Sequence, residues 1–262
     1  MFCLQEDIMD SLILIYTFIL GTLIGSFLNV VVYRLPREES LSFPPSHCPV
    51  CSTRLKFYDL FPILSYLSLK GKCRSCSSSI SMRYPIVEGI TGLLFLFTVY
   101  TFGVSLASLQ YLLIIGILIP IFLIDYEHYI IPDGLNLGIF LIAAGVLLLQ
   151  ILSGEAQWTA LLDRSLGLLI GGGFFLLIAM VTDGAMGGGD IKIMAALGFL
   201  FGVKETLLLM FLSFVLGGIL SVALLALKVK KRKDPIPFGP FICIGAVITI
   251  FWGNQILAWY LS

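Results

Sequence analysis

The chain has 262 residues and a formal net charge of zero. Hydrophobic residues make up 58% of it and charged residues 12%, against about 45–50% and about 25% in soluble domains. A soluble protein of this length has too much surface to hide so many apolar side chains. The composition excludes an ordinary soluble enzyme, a disordered chain and a small disulfide-rich module. It predicts an all-α protein that crosses a membrane several times, and the balanced charge gives no sign of nucleic-acid binding.

Eight apolar stretches are candidates for membrane-spanning helices, each of which needs about 20 mostly apolar residues. They lie at 11–33, 86–103, 107–125, 134–152, 165–182, 190–202, 205–227 and 239–260. The sixth stretch would rise only about 20 Å as a helix, against about 30 Å of hydrocarbon. We expect it either to be extended by the glycine-rich run before it or to lie in a thinned part of the membrane.

The distribution of Lys and Arg predicts the orientation, because these residues favour the cytoplasmic side. Of the 16 such residues, all but Arg164 and Lys204 fall in or beside loops on one side of an eight-helix arrangement. Both termini are then external, and the cytoplasmic loops are 34–85, 126–133, 183–190 and 228–238. The first segment follows an acidic flank without Lys or Arg, unlike a cleaved signal peptide, so we expect a permanent anchor.

Four cysteines lie in the long polar loop, as CPVC and CRSC: Cys48, Cys51, Cys73 and Cys76. Thiols stay reduced in the cytosol, and two CxxC pairs are typical of a structural zinc site with four thiolates. Unpaired thiols and disulfides are the alternatives. The sequence therefore predicts a zinc-binding cytoplasmic domain over 34–85, between an N-terminal membrane helix (1–33) and a seven-helix membrane domain (86–262).

Two carboxylates at membrane depth are candidates for function, because ionisable groups are costly there. Asp125 follows a long apolar run, with Pro132 and Asp133 after it, and Asp190 follows three glycines at 187–189. Both lie near the predicted cytoplasmic boundary, and we expect them to face each other. Two facing carboxylates that share a proton can activate a water for attack on a peptide carbonyl, as in aspartic proteases.

Other interpretations of these features stay open. Glycine runs allow membrane helices to pack closely, and we interpret the triplet at 171–173, which no Asp follows, in that way. An Asp at a helix start can simply complement the helix dipole. Transporters also place carboxylates beside broken helices, so a transporter is the competing hypothesis from another class, and a non-catalytic scaffold is a third.

Five motifs occur in order along the chain: GSFLNVVVYRLP at 25–36, the two CxxC pairs, DYEHYIIPD at 125–133, GAMGGGDIK at 184–192 and PFGP at 237–240. Together they resemble the bacterial type IV prepilin peptidases, which are bifunctional prepilin leader peptidases and N-methyltransferases of the GxGD membrane aspartic protease type. The resemblance covers nearly the whole chain, and it implies that 86–262 is a peptidase domain.

The resemblance also implies roles and substrates. Asp125 and Asp190 would be catalytic, with Gly187 and Gly189 in the GxGD frame. The substrate would be a prepilin or pseudopilin of type IV pili or type II secretion, cut after a Gly at the cytoplasmic face of the inner membrane. The new N-terminal residue, usually Phe, would be methylated with S-adenosylmethionine as donor. Relatives with the cysteine domain are typically bifunctional, so a peptidase without methyltransferase activity is the nearest alternative.

Further residues are candidates for supporting roles. Asp133 and Lys192 lie beside the two aspartates, and Lys192 either holds a carboxylate charged or extends to the membrane interface. Glu88 and Asn29 are candidates for a methyl-donor or substrate site. The alternative for Asn29 is a hydrogen bond across a small-residue helix contact that includes Gly25. Membrane lipid is the other expected partner, through the basic run at 228–233.

Helix ends predict how the two aspartates share a proton. Asp190 lies at the start of a predicted helix, where the helix dipole stabilises an anion, and Asp125 lies at the end of one, where an anion is disfavoured. We therefore expect Asp190 to ionise first and Asp125 to carry the shared proton.

Overall fold

The structure is a computed structural model that describes residues 2–182, 186–229, 231 and 235–262, without the side chains of 2–10 and 261. Part of GAMGGGDIK (Gly184 and Ala185) and part of the basic run (Lys230, Arg232 and Lys233) lie outside the described residues. Within these ranges the chain forms α-helices and no β-strand. The helices are α1 (Phe2–Arg34), α2 (Leu64–Ser68), α3 (Arg83–Phe102), α4 (Leu106–His128), α5 (Asp133–Leu152), α6 (Trp158–Val181), α7 (Gly188–Phe201), α8 (Val203–Ala226) and α9 (Gly239–Leu261).

Seven of these helices are long and apolar enough to cross a membrane, which confirms a multi-pass all-α protein. The predicted sixth segment is the short helix α7, which has 14 residues. It begins at Gly188, so the glycine run does extend it, but only by two residues. Helices α1 and α6 begin before their predicted apolar segments, at Phe2 and Trp158, and so include the more polar residues that precede each apolar run.

The described chain divides into two units, Met1–Pro120 and Ile121–Ser262. The boundary falls inside α4, at a proline within the helix. A proline removes one backbone hydrogen bond of the helix and weakens the helix at that turn. Each unit has its own packing.

Glycines bring α1 and α3 of the first unit into close contact. A Cβ at Gly21 would lie 2.7 Å from the Cα of Gly92, and a Cβ at Gly25 would lie 2.8 Å from the Cα of Glu88. Residue numbers rise along one helix as they fall along the other, so the two helices are antiparallel. The small-residue helix contact predicted around Gly25 is confirmed.

Glycines also join α6 and α7 in the second unit. A Cβ at Gly198 would collide with the carbonyl oxygen of Gly167, and a Cβ at Gly171 would lie 2.6 Å from the carbonyl oxygen of Met194. Nothing lies within 4 Å of the corresponding position at Gly173 in the described chain. The packing interpretation of the triplet at 171–173 is therefore confirmed at Gly171, while Gly173 takes no part in this contact.

Helices α5 and α7 run in the same direction. Lys192 pairs with Asp133 at the start of both helices, and the rings of Phe140 and Phe199 meet two turns later, with centroids 4.9 Å apart. In both contacts the two residues are 59 positions apart in the chain, as expected for two helices that run in parallel. The starts of the two helices, and the residues that surround them, are thus held side by side.

Helix α7 ends at Phe201, and the next residue, Gly202, has a φ of 81°, in the left-handed region that favours glycine. Two consecutive side chains of α6 hold this junction. Arg164 donates to the carbonyl of Leu200 at the end of α7, and Asp163 accepts from the N–H of Val203 at the start of α8, at 3.4 Å. One turn of α6 therefore satisfies backbone groups at both helix ends.

Candidate active site

Asp125 lies in the last turn of α4 and is only 5% exposed. Its Oδ2 accepts a hydrogen bond of 2.9 Å from the backbone N–H of Gly239, the first residue of α9. Gly239 belongs to the PFGP motif. The sequence alone did not link Gly239 to Asp125, because the two residues are far apart in the chain. A glycine is needed there, since a Cβ would lie 2.7 Å from the same carboxylate oxygen.

Asp190 lies in the first turn of α7 and is 9% exposed. Its Oδ2 accepts a hydrogen bond of 3.1 Å from the N–H of Gly187, which precedes the helix. Its Oδ1 is buried and has no hydrogen-bond partner among the described residues. Gly189 packs on Ile131, where a Cβ would lie 2.8 Å from the Cβ of that side chain. One carboxylate oxygen is thus fixed and the other is available.

The second unit brings the two carboxylates close enough to interact electrostatically. Ile131 packs against the helix starts beside both, because it contacts Gly189 and approaches Gly239. Cys243 of α9 is buried near both charges. The structure therefore places Asp125 and Asp190 in the same buried, largely apolar part of the second unit.

The helix-end argument does not separate the two aspartates in the structure. Asp190 accepts from an N–H at the start of α7, as predicted, but Asp125 also accepts from an N–H at the start of a helix, α9. Both carboxylates thus have a positive helix end beside them. The predicted order of ionisation has lost its physical basis.

Asp133 and Lys192 form an ion pair at the surface of the same unit. The Lys192 Nζ lies 2.7 and 2.8 Å from the two carboxylate oxygens of Asp133, and the side chains are 56% and 71% exposed. The carboxylate that Lys192 pairs with is therefore that of Asp133. The pair joins the first turns of α5 and α7, and α7 carries Asp190 in that turn.

The four cysteines of the first unit come together as the sequence predicts. Their Sγ atoms all lie within 4.8 Å of one another, and those of Cys48 and Cys76 are 3.8 Å apart. Four thiolates arranged tetrahedrally at about 2.3 Å from a zinc ion would be about 3.8 Å apart. The cluster is therefore compatible with zinc.

The two CxxC segments have the same backbone conformation. In the first, Ser52 donates to the carbonyl of Cys48 at 2.8 Å, and in the second, Ser77 donates to the carbonyl of Cys73 at 2.9 Å. Ser52 and Ser77 both have a φ of 57°. N–H groups of residues 50 and 51 point at the Cys48 sulfur and lower the pKa of this thiol to about 6. A thiolate is the form that binds metal.

An ion pair that the sequence did not predict holds the second CxxC segment in place. Arg74 donates to Asp59 through two nitrogens, at 2.7 and 2.9 Å, and its guanidinium lies over the ring of Tyr58. The Asp59 side chain is largely buried. This pair joins the cysteine cluster to the short helical turn Phe57–Leu60.

Glu88 binds the loop that follows this turn. Glu88 is 6% exposed, and its Oε2 accepts a hydrogen bond of 2.8 Å from the N–H of Ile63. Ile63 has φ 59° and ψ −51°, and the N–H of Leu64 donates to the carbonyl of Pro62 at 2.5 Å. This is a γ-turn with positive φ, a strained conformation that costs about 1–3 kcal/mol for a β-branched residue.

Asn29 of α1 lies at the contact between α1 and α3, about one helical turn from Glu88. Its amide nitrogen donates to the carbonyls of Gly25 and Tyr84, at 3.2 and 3.3 Å. The bond to Tyr84 is the hydrogen bond across the helix contact that the sequence offered as an alternative. Its amide oxygen is buried and has no hydrogen-bond partner within the described parts of the chain.

Known proteins are similar to this chain over most of its length. A Bacillus subtilis protein named prepilin leader peptidase/N-methyltransferase is 34% identical over 245 residues, which cover 94% of this chain and 96% of that protein. A protein of the same name from Pseudomonas aeruginosa is 36% identical, with 94% and 92% covered. One from Legionella pneumophila is 35% identical, with 91% of each covered. The chain belongs to the type IV leader peptidase family.

Family models match both parts of this leader peptidase family member. The model of the type IV leader peptidase family matches residues 112–222, which contain both aspartates. The model of the bacterial peptidase A24 N-terminal domain matches residues 19–102, which contain the four cysteines, Asn29 and Glu88. The family resemblance predicted from the five motifs is confirmed. No solved structure matches the chain.

Proposed function

We propose that the protein removes the leader peptide from type IV prepilins or pseudopilins and then methylates the new N-terminal residue, usually Phe. S-adenosylmethionine is the methyl donor. The observation that carries the peptidase activity is the pair of buried carboxylates in the second unit, in which Asp190 keeps one buried oxygen without a partner among the described residues, near Asp125. The named activities of the 34–36% identical relatives support both reactions.

The two aspartates carry the hydrolysis. With one proton between them, the ionised carboxylate takes a proton from a water, whose oxygen attacks the peptide carbonyl carbon. The protonated carboxyl donates to the carbonyl oxygen. The tetrahedral intermediate collapses, the C–N bond breaks, and the leaving amine takes a proton. Each carboxylate uses one oxygen for these steps, because the other is held by a backbone N–H, from Gly187 or Gly239.

Gly187, Gly189, Asp133 and Lys192 support this site. A side chain at Gly189 would displace Ile131 from between the helix starts. The pair of Lys192 and Asp133 fixes the start of α7 against the start of α5, and thereby the position of the Asp190 side chain. These four residues act by positioning the helix starts that surround the aspartates.

The membrane orientation follows from the Lys and Arg distribution. We place the protein in the bacterial inner membrane with both termini periplasmic and with the cysteine loop and the two aspartates on the cytoplasmic side. The chain then consists of an anchor helix (1–33), a cytoplasmic zinc domain (34–85) and the membrane peptidase domain (86–262). A scissile bond just inside the cytoplasmic boundary suits a substrate with a cytosolic leader and an apolar helix.

Cys48, Cys51, Cys73 and Cys76 would hold a structural zinc ion. Four thiolates fill a tetrahedral shell and leave no position for a water or a substrate. The ion supplies stability to the loop and takes no part in the reactions. The methyl-transfer site lies in the first unit, where Glu88 and Asn29 form a methyl-donor or substrate site.

The mass of a prepilin incubated with the purified protein, with and without S-adenosylmethionine, tests both activities. We expect loss of the leader in both samples and one added methyl group only with the donor. Cleavage without methylation, by zinc-loaded protein, would leave a peptidase alone. Absence of cleavage by folded, zinc-loaded protein would contradict the peptidase assignment and return the transporter hypothesis, which predicts solute flux that depends on the same aspartates.

A further inference from the structure

A buried carboxylate and a buried amide oxygen lie on the same side of the α1–α3 contact in the first unit. The Ser26 side chain lies close to the Glu88 carboxylate, and Ser26 and Asn29 are neighbours on the surface of α1, three residues apart. Asn29 in turn binds the carbonyl of Tyr84, which precedes Glu88 by one turn of α3. Glu88 and Asn29 are therefore separated by about one helical turn, or about 5.4 Å along the helices.

Both groups have hydrogen-bonding capacity that the described residues do not fill. The Asn29 amide oxygen is buried without a partner in this part of the structure. A carboxylate can accept about four hydrogen bonds. Among the described residues, Glu88 accepts a hydrogen bond from the N–H of Ile63, and the nearby hydroxyl of Ser26 is also neutral. A buried carboxylate is stable in its ionised form only when a cation or several donors compensate it.

The chemistry of the two groups defines what they can bind. They offer only acceptor oxygens, and one of the two groups is an anion. A small cation with several N–H donors matches them, and a primary ammonium group has three donors on one nitrogen. We propose that Glu88 and Asn29 form a pocket that binds a primary ammonium group of a substrate.

This assignment rests on the proposed function and names the substrate group that the site takes. Two reactants of the methyl transfer carry a primary ammonium group. One is the new N-terminus of the cleaved pilin, and the other is the α-amino group of S-adenosylmethionine. For the pilin, Glu88 also accepts the proton that the ammonium loses. The amine nitrogen then bonds to the methyl carbon, and the C–S bond breaks with its electron pair left on sulfur.

The substitution Glu88→Gln tests the pocket. Gln keeps an oxygen for the Ile63 N–H and removes the charge, so the loop contact survives. We expect the kcat/KM of methylation to fall about 10–100-fold, the loss typical for a hydrogen bond to a charged group. Leader cleavage and the melting temperature should stay near the wild-type values. An unchanged methylation rate in Glu88→Gln would overturn the proposal, and so would an equal loss of both activities, which indicates a structural role.

Separate measurements of the two substrates identify the ammonium group. A synthetic pilin peptide that starts at the new N-terminus serves as methyl acceptor. A raised KM for this peptide, with unchanged binding of S-adenosylmethionine by equilibrium dialysis, assigns the pocket to the pilin amine. Weakened binding of S-adenosylmethionine alone assigns the pocket to the methyl donor. No change in either quantity contradicts the proposal.

Two further variants serve as controls for Glu88→Gln. Glu88→Asp retains the charge and should retain more methylation than Glu88→Gln. Thr91→Val is the matched control, because Thr91 is buried on the same helix and its hydroxyl donates to the carbonyl of Val87 in its own helix, at 2.7 Å. It should leave both activities near wild type. Failure of the wild-type protein to cleave a prepilin would instead contradict the proposed function itself.

Discussion

The two units hold their buried carboxylates by different means. In the second unit, Asp125 and Asp190 each accept a backbone N–H at the start of a helix, and helix packing fixes those starts. In the first unit, Glu88 accepts the N–H of Ile63, which lies in a strained turn of the cysteine loop. The proposed peptidase site thus depends on contacts between helices, whereas the proposed methylation site depends on a loop that carries the cysteine cluster.

The largest expected effect tests whether the two sites are separable. Asp125→Asn and Asp190→Asn should each lower the rate of leader cleavage by about a thousandfold or more, because a catalytic carboxylate is lost. Methylation of a peptide that already starts at the new N-terminus should change little. Mass spectrometry of both reactions measures this difference. If methylation of the pre-cleaved peptide also collapses, the separation of the two sites is wrong.

Removal of the metal should affect the first unit selectively. Cys73→Ser should reduce bound zinc from about one ion per chain to near zero, because structural zinc sites use all four ligands. The free energy of zinc binding is part of the folding free energy of such domains. Limited trypsin digestion should therefore cut within 34–85 much faster. Elemental analysis gives the zinc content, and Ser77→Ala, beside the ligands, should bind zinc normally.

The glycine contact between α6 and α7 should be sensitive to a single methyl group. Gly198→Ala forces a Cβ into the carbonyl of Gly167, and we expect it to lower the free energy of unfolding by about 1–3 kcal/mol, as overpacked cores do. Leader cleavage should fall more than methylation. Gly173→Ala is the matched control, because open space surrounds that position. Equal thermal stability of the two variants would contradict this account of the contact between α6 and α7.

The exposed ion pair should give the smallest effect. Lys192→Met leaves Asp133 without its partner, and exposed pairs contribute about 0–1 kcal/mol. Because each 1.36 kcal/mol of activation free energy is a tenfold change, we expect leader cleavage to slow by about fivefold at most. Methylation should not change. A loss as large as that of the aspartate variants would mean that Lys192 contacts the substrate.

Composition and the lengths of the apolar runs predicted most of the fold. Apolar run lengths located seven membrane helices and α7, and the CxxC pairs located the cysteine cluster, because these features are local in the sequence. The Asp125–Gly239 and Glu88–Ile63 hydrogen bonds were not predictable, since each joins residues from separate elements. For the same reason, the sequence did not show that α9 begins beside Asp125.

The short helix α7 and the junction that Asp163 and Arg164 hold at its end have a consequence for the membrane around the protein. In the proposed orientation, α7 starts at the cytoplasmic boundary. Its 14 residues span about 21 Å, so its end would lie about 9 Å short of the opposite face of a hydrocarbon layer about 30 Å thick. Asp163 and Arg164, which hold that end, then lie below the opposite surface. A bilayer responds to such a polar site by local thinning. Lipids with longer acyl chains should resist this thinning, so we expect the depth of Asp190 in the membrane to change with the acyl length of the lipids.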